Sequence, residues 1–139
     1  MKVLGCMLIA AVLFGCATTN DPRLIGTFVS DKEATMTYLE GSGKFTERQL
    51  KLFASLLGKL RIECDGVSVV SKLDDFTETE PLKILTTTKE YALVESEVLG
   101  EPMQYKIIFT EDGYWVVGGI AGPDYREKFI RLPTSRVQP

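Results

Sequence analysis

The chain has 139 residues, of which 45% are hydrophobic and 25% are charged, and this composition fits one folded domain and excludes wholesale disorder. Its 16 basic and 19 acidic side chains give a formal net charge of -3 without a basic cluster, which excludes an electrostatic surface for nucleic acid. The chain has no histidine, the usual general base and the commonest zinc ligand, so we expect no enzymatic activity, no cofactor and no metal site.

The N-terminal segment has the pattern of a targeting sequence. Lys2 precedes an almost wholly apolar run over residues 3–14, which is too short for a helix that spans a bilayer. Gly15 and Cys16 end the run, and small, polar residues follow. A lipoprotein signal, a plain secretory signal and an uncleaved N-terminal helix all have such a pattern.

Leu13, Gly15 and Cys16 resemble the lipobox of bacterial lipoproteins. The resemblance implies that residues 1–15 are removed as a signal peptide and that Cys16 is lipidated on sulfur as the mature N-terminus. Several acyl chains on one residue would anchor a soluble domain firmly, because each buried methylene contributes about 0.8 kcal/mol. Ala17 follows the cysteine, and in Gram-negative lipoproteins this implies sorting to the outer membrane, facing the periplasm.

The segment over residues 16–22 is short and mainly polar, and we interpret it as the lipidated cysteine followed by a tether. The folded domain is expected over residues 23–132, with residues 133–139 as a C-terminal tail. Residues 24–29 alternate in the manner of a first strand. Ser30 and Glu33 have the spacing of a capping box, which predicts a helix that ends at Leu39 or Glu40.

A second helix start is marked by Thr46 and Gln49, which also have the spacing of a capping box. Apolar residues recur every three or four positions after it, and Gly58 is expected to end the helix. We expect this apolar stripe to pack into the core against a sheet. A helix that binds a partner is the alternative.

From Leu60 onward the apolar residues alternate, which predicts strands. A two-residue turn at Asp65-Gly66 would pair Cys64 with Val67 and would bury both side chains. Cys64 is expected to be a small core residue rather than a nucleophile, since no histidine is present to activate it.

Two further hairpins are predicted, one around residues 89–90 and one around Asp112-Gly113. A final strand is predicted over residues 129–132, with Tyr125 as an alternative start, and Gly118-Gly119 suggests a bend in a curved sheet. The fold class is therefore α+β: a mainly antiparallel β meander or small barrel of about eight strands, with two helices inserted after the first strand.

Gly26-Thr27-Phe28 in the first strand and Arg131 in the last strand resemble lipocalin-type small barrels, in which an aromatic residue near the start packs against an arginine from the end. The resemblance implies a barrel that holds a small apolar ligand, or one that is filled by its own side chains. Tyr105, Trp115 and Arg131 are the candidate ligand-binding residues. Tyr105 and Trp115 are predicted to face opposite sides of the sheet, in which case only one of them lines a cavity.

Asp74, Asp75, Glu78 and Glu80 are expected to form a solvated acidic loop. The leading functional hypothesis is a membrane-anchored envelope lipoprotein that binds or carries a small apolar ligand without catalysis. The alternative is an envelope protein that docks a membrane or periplasmic partner through its outer surface. An enclosed cavity of several hundred cubic ångströms would favour the first hypothesis.

Overall fold

A computed structural model describes residues 20–98, 100–119 and 121–134, so the predicted signal segment, Cys16 and the end of the chain lie outside the described residues. The elements follow one another as a 3-10 turn (Pro22–Leu24), β1 (Gly26–Ser30), α1 (Lys32–Ser42), α2 (Glu47–Leu56), β2 (Arg61–Cys64), β3 (Ser68–Leu73), β4 (Phe76–Pro81), β5 (Lys83–Thr87), β6 (Tyr91–Val98), β7 (Glu101–Phe109), β8 (Gly113–Val117) and β9 (Arg126–Arg131). Neither helix in this part of the chain is long and apolar enough to cross a membrane.

The strands form one antiparallel sheet of nine strands in the order β4-β3-β2-β1-β9-β8-β7-β6-β5. β4 and β5 are separated only by Leu82, so one bent segment pairs with β3 through its first half and with β6 through its second half. This arrangement gives a nearly closed barrel with two helices, which confirms the predicted fold class.

The expected acidic loop is only partly a loop. Asp74 and Asp75 form a turn, but Glu78 and Glu80 lie on β4, which raises the strand count to nine. Most side chains of β4 are exposed, so the strand has no buried alternating face to reveal it in the sequence. Its backbone pairing with β3 determines its conformation.

Both helices begin close to their predicted starts. Asp31 rather than Ser30 caps α1, because its side chain accepts a hydrogen bond from the backbone N–H of Ala34. α2 begins with the predicted capping box of Thr46 and Gln49. Capping residues therefore predict where both helices start, with an error of one residue at α1.

The expectation that the apolar stripe of α2 packs into the core is met only at the end of the helix, where the C-cap residue Leu57 is 5% exposed. None of the residues within α2 is buried, and Leu52 and Leu56 are 57% and 53% exposed. The buried core is formed mainly by side chains of the strands. In it the ring centroid of Tyr114 lies 4.6 Å from that of Phe28 and 5.8 Å from that of Phe129. α2 is an amphipathic helix whose apolar stripe stays partly open to solvent.

Two of the predicted hairpin registers are shifted by two residues. Cys64 pairs with Val69 rather than Val67, and Val67 is 76% exposed at the tip of the turn. The side chain of Asp65 accepts hydrogen bonds from the N–H groups of Val67 and Ser68, so the two central turn residues are Gly66 and Val67. The aspartate is the residue that precedes the turn, whereas the prediction placed it inside.

Replacing Gly66 by valine is expected to destabilise the domain by about 1–3 kcal/mol. Gly66 has a φ of +93°, and a Cβ atom there would lie 3.2 Å from side-chain atoms of Asn20 and Ile25. The urea unfolding midpoint measures the loss, and Val67→Ala at the neighbouring exposed position serves as the control. Equal midpoints for the two variants would contradict a positive φ at residue 66.

The predicted tether continues into the folded domain. Asp21 is buried, and its carboxylate accepts hydrogen bonds from Arg23 at 2.9 and 2.6 Å and from Thr87 at 2.5 Å. Arg23 also donates to the carbonyl oxygens of Thr88 and Lys89 in the β5–β6 turn. Asp21, which the sequence assigned to the tether, therefore forms part of the folded structure.

The hydrogen bonds from Arg23 and Thr87 lower the pKa of Asp21 from 3.8 to about 2. A depressed pKa stabilises the folded state above the unfolded pKa, and this contribution is lost as pH falls from about 4 toward 2. Asp21→Asn should therefore lower the free energy of unfolding by about 2 kcal/mol at neutral pH. In acid, the free energies of unfolding of the variant and the parent should differ less. Urea unfolding at several pH values measures this, and Asp124→Asn, in an exposed ion pair, should change little.

Candidate functional site

A cavity of about 480 Å³ lies inside the barrel and is partly open to solvent rather than enclosed. Leu24 lines it at the end of the 3-10 turn, and Phe53, Leu56 and Leu57 line it at the opposite end, beside α2. Most of the wall between these ends comes from inward-facing aliphatic and aromatic side chains of the strands, including Ile62, Val69, Val94, Ile107, Tyr114, Val116 and Phe129. The cavity therefore has the size and apolar wall that small-molecule sites usually have.

Tyr105 lines this cavity and Trp115 does not. The β7–β8 turn is formed by Glu111 and Asp112, so Trp115 pairs with Ile108 instead of the predicted Thr110. The two-residue shift preserves the alternation of faces, and Trp115 lies on the outer face, 5.7 Å from the ring of Tyr38 in α1. The prediction that the two aromatic residues face opposite sides is confirmed, and Trp115 is removed as a cavity residue.

Arg131 also lies outside the cavity. Its guanidinium donates to the carbonyl oxygens of Ile25 and Arg23, the latter at 2.8 Å, and lies 4.7 Å from the ring centroid of Phe28. This is the contact between an early aromatic residue and a late arginine that the lipocalin resemblance implied. These hydrogen bonds connect Arg131 of β9 to the backbone just before β1, so its role is to stabilise the fold.

Cys64 is buried, as predicted, and its side chain also faces the cavity. Burial raises the pKa of its thiol above the ordinary value, so the sulfur stays protonated at neutral pH. A neutral thiol in an apolar wall contributes contact area rather than nucleophilic chemistry.

Glu127 is the polar group of the cavity that the sequence did not reveal. Its Oε1 accepts a hydrogen bond from Ser30 at 2.6 Å, and its Oε2 lies 3.4 Å from the Tyr125 hydroxyl, which donates to it. Burial raises the pKa of both Glu127 and Tyr125, because the charged forms lose water in the apolar surroundings. The strand pattern of β9 gives no separate signal for a carboxyl that points inward.

A second polar group lines the barrel wall where β4 and β6 face each other without pairing. The Ser96 hydroxyl donates a hydrogen bond to Glu80 at 2.7 Å across this gap. Nearby, Lys83 on β5 forms an ion pair with Glu95 on β6. Both pairs line the cavity, and they also border a cleft of about 490 Å³ on the outside. The gap is thus bordered by polar side chains.

α2 covers the other end of the cavity through a few contacts. The ring of Phe53 lies 5.1 Å from that of Tyr125, and the N–H of Gly58 donates to Ser30 at 3.0 Å. Lys44, just before the helix, forms an exposed ion pair with Asp124. Because none of the α2 side chains is buried, the helix is held over the cavity rather than built into the core.

Among the described residues, no group of three or more cysteine, aspartate or glutamate side chains is arranged to hold a metal ion. Comparison of the chain with protein-family models, curated proteins and solved structures gave no match. The geometry of the cavity therefore carries the functional argument alone.

Proposed function

We propose that this protein is a membrane-anchored envelope lipoprotein whose barrel binds or carries a small, largely apolar ligand without catalysing a reaction. The observation that carries the proposal is the cavity of about 480 Å³ with a mainly apolar wall. Small-molecule sites are typically clefts of about 300–1,000 Å³ with a few polar groups, and Tyr105, Tyr125 and Glu127 supply such groups here.

Docking of a protein or membrane partner is the second candidate. Leu52 and Leu56 favour it, because both are more than half exposed on the apolar side of α2. The same stripe reaches the cavity through Phe53 and Leu56, so cavity binding also accounts for its apolar character. We therefore rank ligand binding first.

Ligand binding is tested with a dye that fluoresces in apolar surroundings and is displaced by fatty acids, alcohols and amines. Trp115 lies outside the cavity, so its fluorescence is a poor reporter, and a thermal shift is the second readout. A ligand at a hundred times its Kd should stabilise the fold by about 2.7 kcal/mol.

A matched pair of substitutions separates cavity binding from binding at the surface. Val116→Phe adds a ring to the cavity wall and should abolish displacement, whereas Val117→Phe adds the same ring on the opposite face of β8 and should not. Absence of binding by any compound, or equal loss in both variants, would remove the cavity proposal and leave the docking candidate.

The lipid anchor rests on the lipobox resemblance at Cys16. Asp21 forms part of the folded structure, so the four residues between it and Cys16 would hold the barrel within about 20 Å of the lipid, at roughly 3.5 Å per residue. Ala17 after the cysteine supports outer-membrane sorting in a Gram-negative cell.

Cys16→Ser is expected to abolish incorporation of an alkyne-labelled fatty acid and to release the protein from membranes. Lipid on this one sulfur would supply the anchoring energy. Cys6→Ser is the matched control, since Cys6 lies within the segment that is removed, and it should still be labelled. Undiminished labelling of the Cys16 variant would contradict the anchor.

A further inference from the structure

The charged groups of the cavity wall are mostly acidic. The residues that line it include three acidic ones, Glu80, Glu95 and Glu127, and one basic residue, Lys83. Lys83 is already paired with Glu95. Among the residues that the structure describes, neither Glu80 nor Glu127 forms an ion pair.

Glu127 retains an unused capacity to accept hydrogen bonds. Its Oε1 receives the short bond from Ser30, but the distance from its Oε2 to the Tyr125 hydroxyl is 3.4 Å, which is long for a bond between oxygens. A carboxylate has about four acceptor sites, so Glu127 has room for a further donor from inside the cavity. Within residues 20–98, 100–119 and 121–134, Glu80 likewise receives a side-chain hydrogen bond only from Ser96.

We infer that the cavity selects a cationic amphiphile, in which an ammonium head group is held at Glu127 and an apolar body fills the barrel. The inference rests on the proposed function and specifies the class of ligand. An ammonium group donates to the carboxylate and compensates its buried charge, whereas the carboxylate of a fatty acid would be repelled by Glu127 and Glu80. A fatty alcohol can donate one hydrogen bond but brings no charge, so its affinity should lie between the two.

The test compares dodecylammonium, dodecanol and dodecanoate as competitors of the apolar dye at neutral pH, each below its micellar concentration. Dodecylammonium should displace the dye at a concentration at least about tenfold lower than dodecanoate. A fatty acid that competes as well as the amine would overturn the inference while leaving the proposed function intact. Failure of all three compounds would overturn the proposed function itself.

Glu127→Gln tests the position of the head group. The glutamine oxygen can still accept the Ser30 hydrogen bond, so the fold should persist, and the preference for dodecylammonium should fall by about tenfold. Glu101→Gln makes the same change of charge at an exposed position outside the cavity and should leave the preference unchanged. If the two variants keep the same preference, the head group is not held at Glu127.

Thermal unfolding of each variant without ligand shows whether it is folded under the conditions of the binding assay. If Glu127→Gln does not fold, Glu127→Asp takes its place, because it keeps the charge on a shorter side chain. This variant should retain the preference for the amine over the fatty acid. Loss of that preference in a folded Glu127→Asp variant would overturn selection by the carboxylate charge.

Discussion

Phe28→Ala is expected to lower the free energy of unfolding by about 3–5 kcal/mol, a large part of the total stability of a small domain. The Phe28 ring is fully buried, lies 4.6 Å from the ring of Tyr114 and is covered by the Arg131 guanidinium. Its removal leaves a cavity and takes away the surface on which Arg131 packs. Urea unfolding measures the change through the midpoint and the slope of the transition.

Phe76→Ala is the matched control, since it removes the same ring from a position on β4 that is 61% exposed. It should cost less than about 1 kcal/mol, because little apolar contact is lost. A Phe28 variant that unfolds at the same urea concentration as the Phe76 variant would show that the aromatic and arginine contact does not stabilise the barrel.

The fold class could be predicted because its signals are local. Capping residues fixed both helix starts to within one residue, and alternation of apolar residues indicated most strands. The structure also shows the predicted bend at Gly118 and Gly119, where β8 has ended and both residues have positive φ. β4 was missed because its exposed side chains lack the alternation that marks a buried face.

The candidate site was less predictable because it depends on contacts between distant segments. The alternation of faces placed Tyr105 and Trp115 on opposite sides, but it could not say which side was inside. Ser30 and Glu127 meet across 97 positions of the chain, and no local pattern reveals such a pair. A carboxylate in an apolar cavity therefore has to be found in the structure.

Both register errors arose from the same assumption about Asp-Gly pairs. The prediction placed Asp65-Gly66 and Asp112-Gly113 at the centres of two-residue turns, which is their commonest position in hairpins. In the structure Asp65 precedes its turn, whereas Asp112 is the second central residue and Gly113 is the first residue of β8. Glycine at position 113 is therefore explained by the close approach of the β9 backbone and not by the geometry of the turn.

Gly113→Ala is expected to destabilise the domain by about 3 kcal/mol, at the upper end of the usual cost of overpacking. Gly113 pairs with Ile130, and a Cβ atom at this position would lie 2.1 Å from the backbone carbonyl oxygen of Phe129. A backbone atom cannot turn aside as a side chain can, so β8 and β9 would have to separate beside the buried rings of Tyr114 and Phe129.

Gly41→Ala makes the same substitution in α1, where a Cβ atom would meet nothing within 4 Å. It should stabilise the helix by about 0.5–1 kcal/mol, so the two variants should change the urea midpoint in opposite directions. Hydrogen exchange of the β8 and β9 amides would locate the damage, since only the Gly113 variant should lose protection there. A Gly113 variant with unchanged protection and midpoint would mean that these strands are farther apart than the structure shows, and that the cavity wall they form is differently placed.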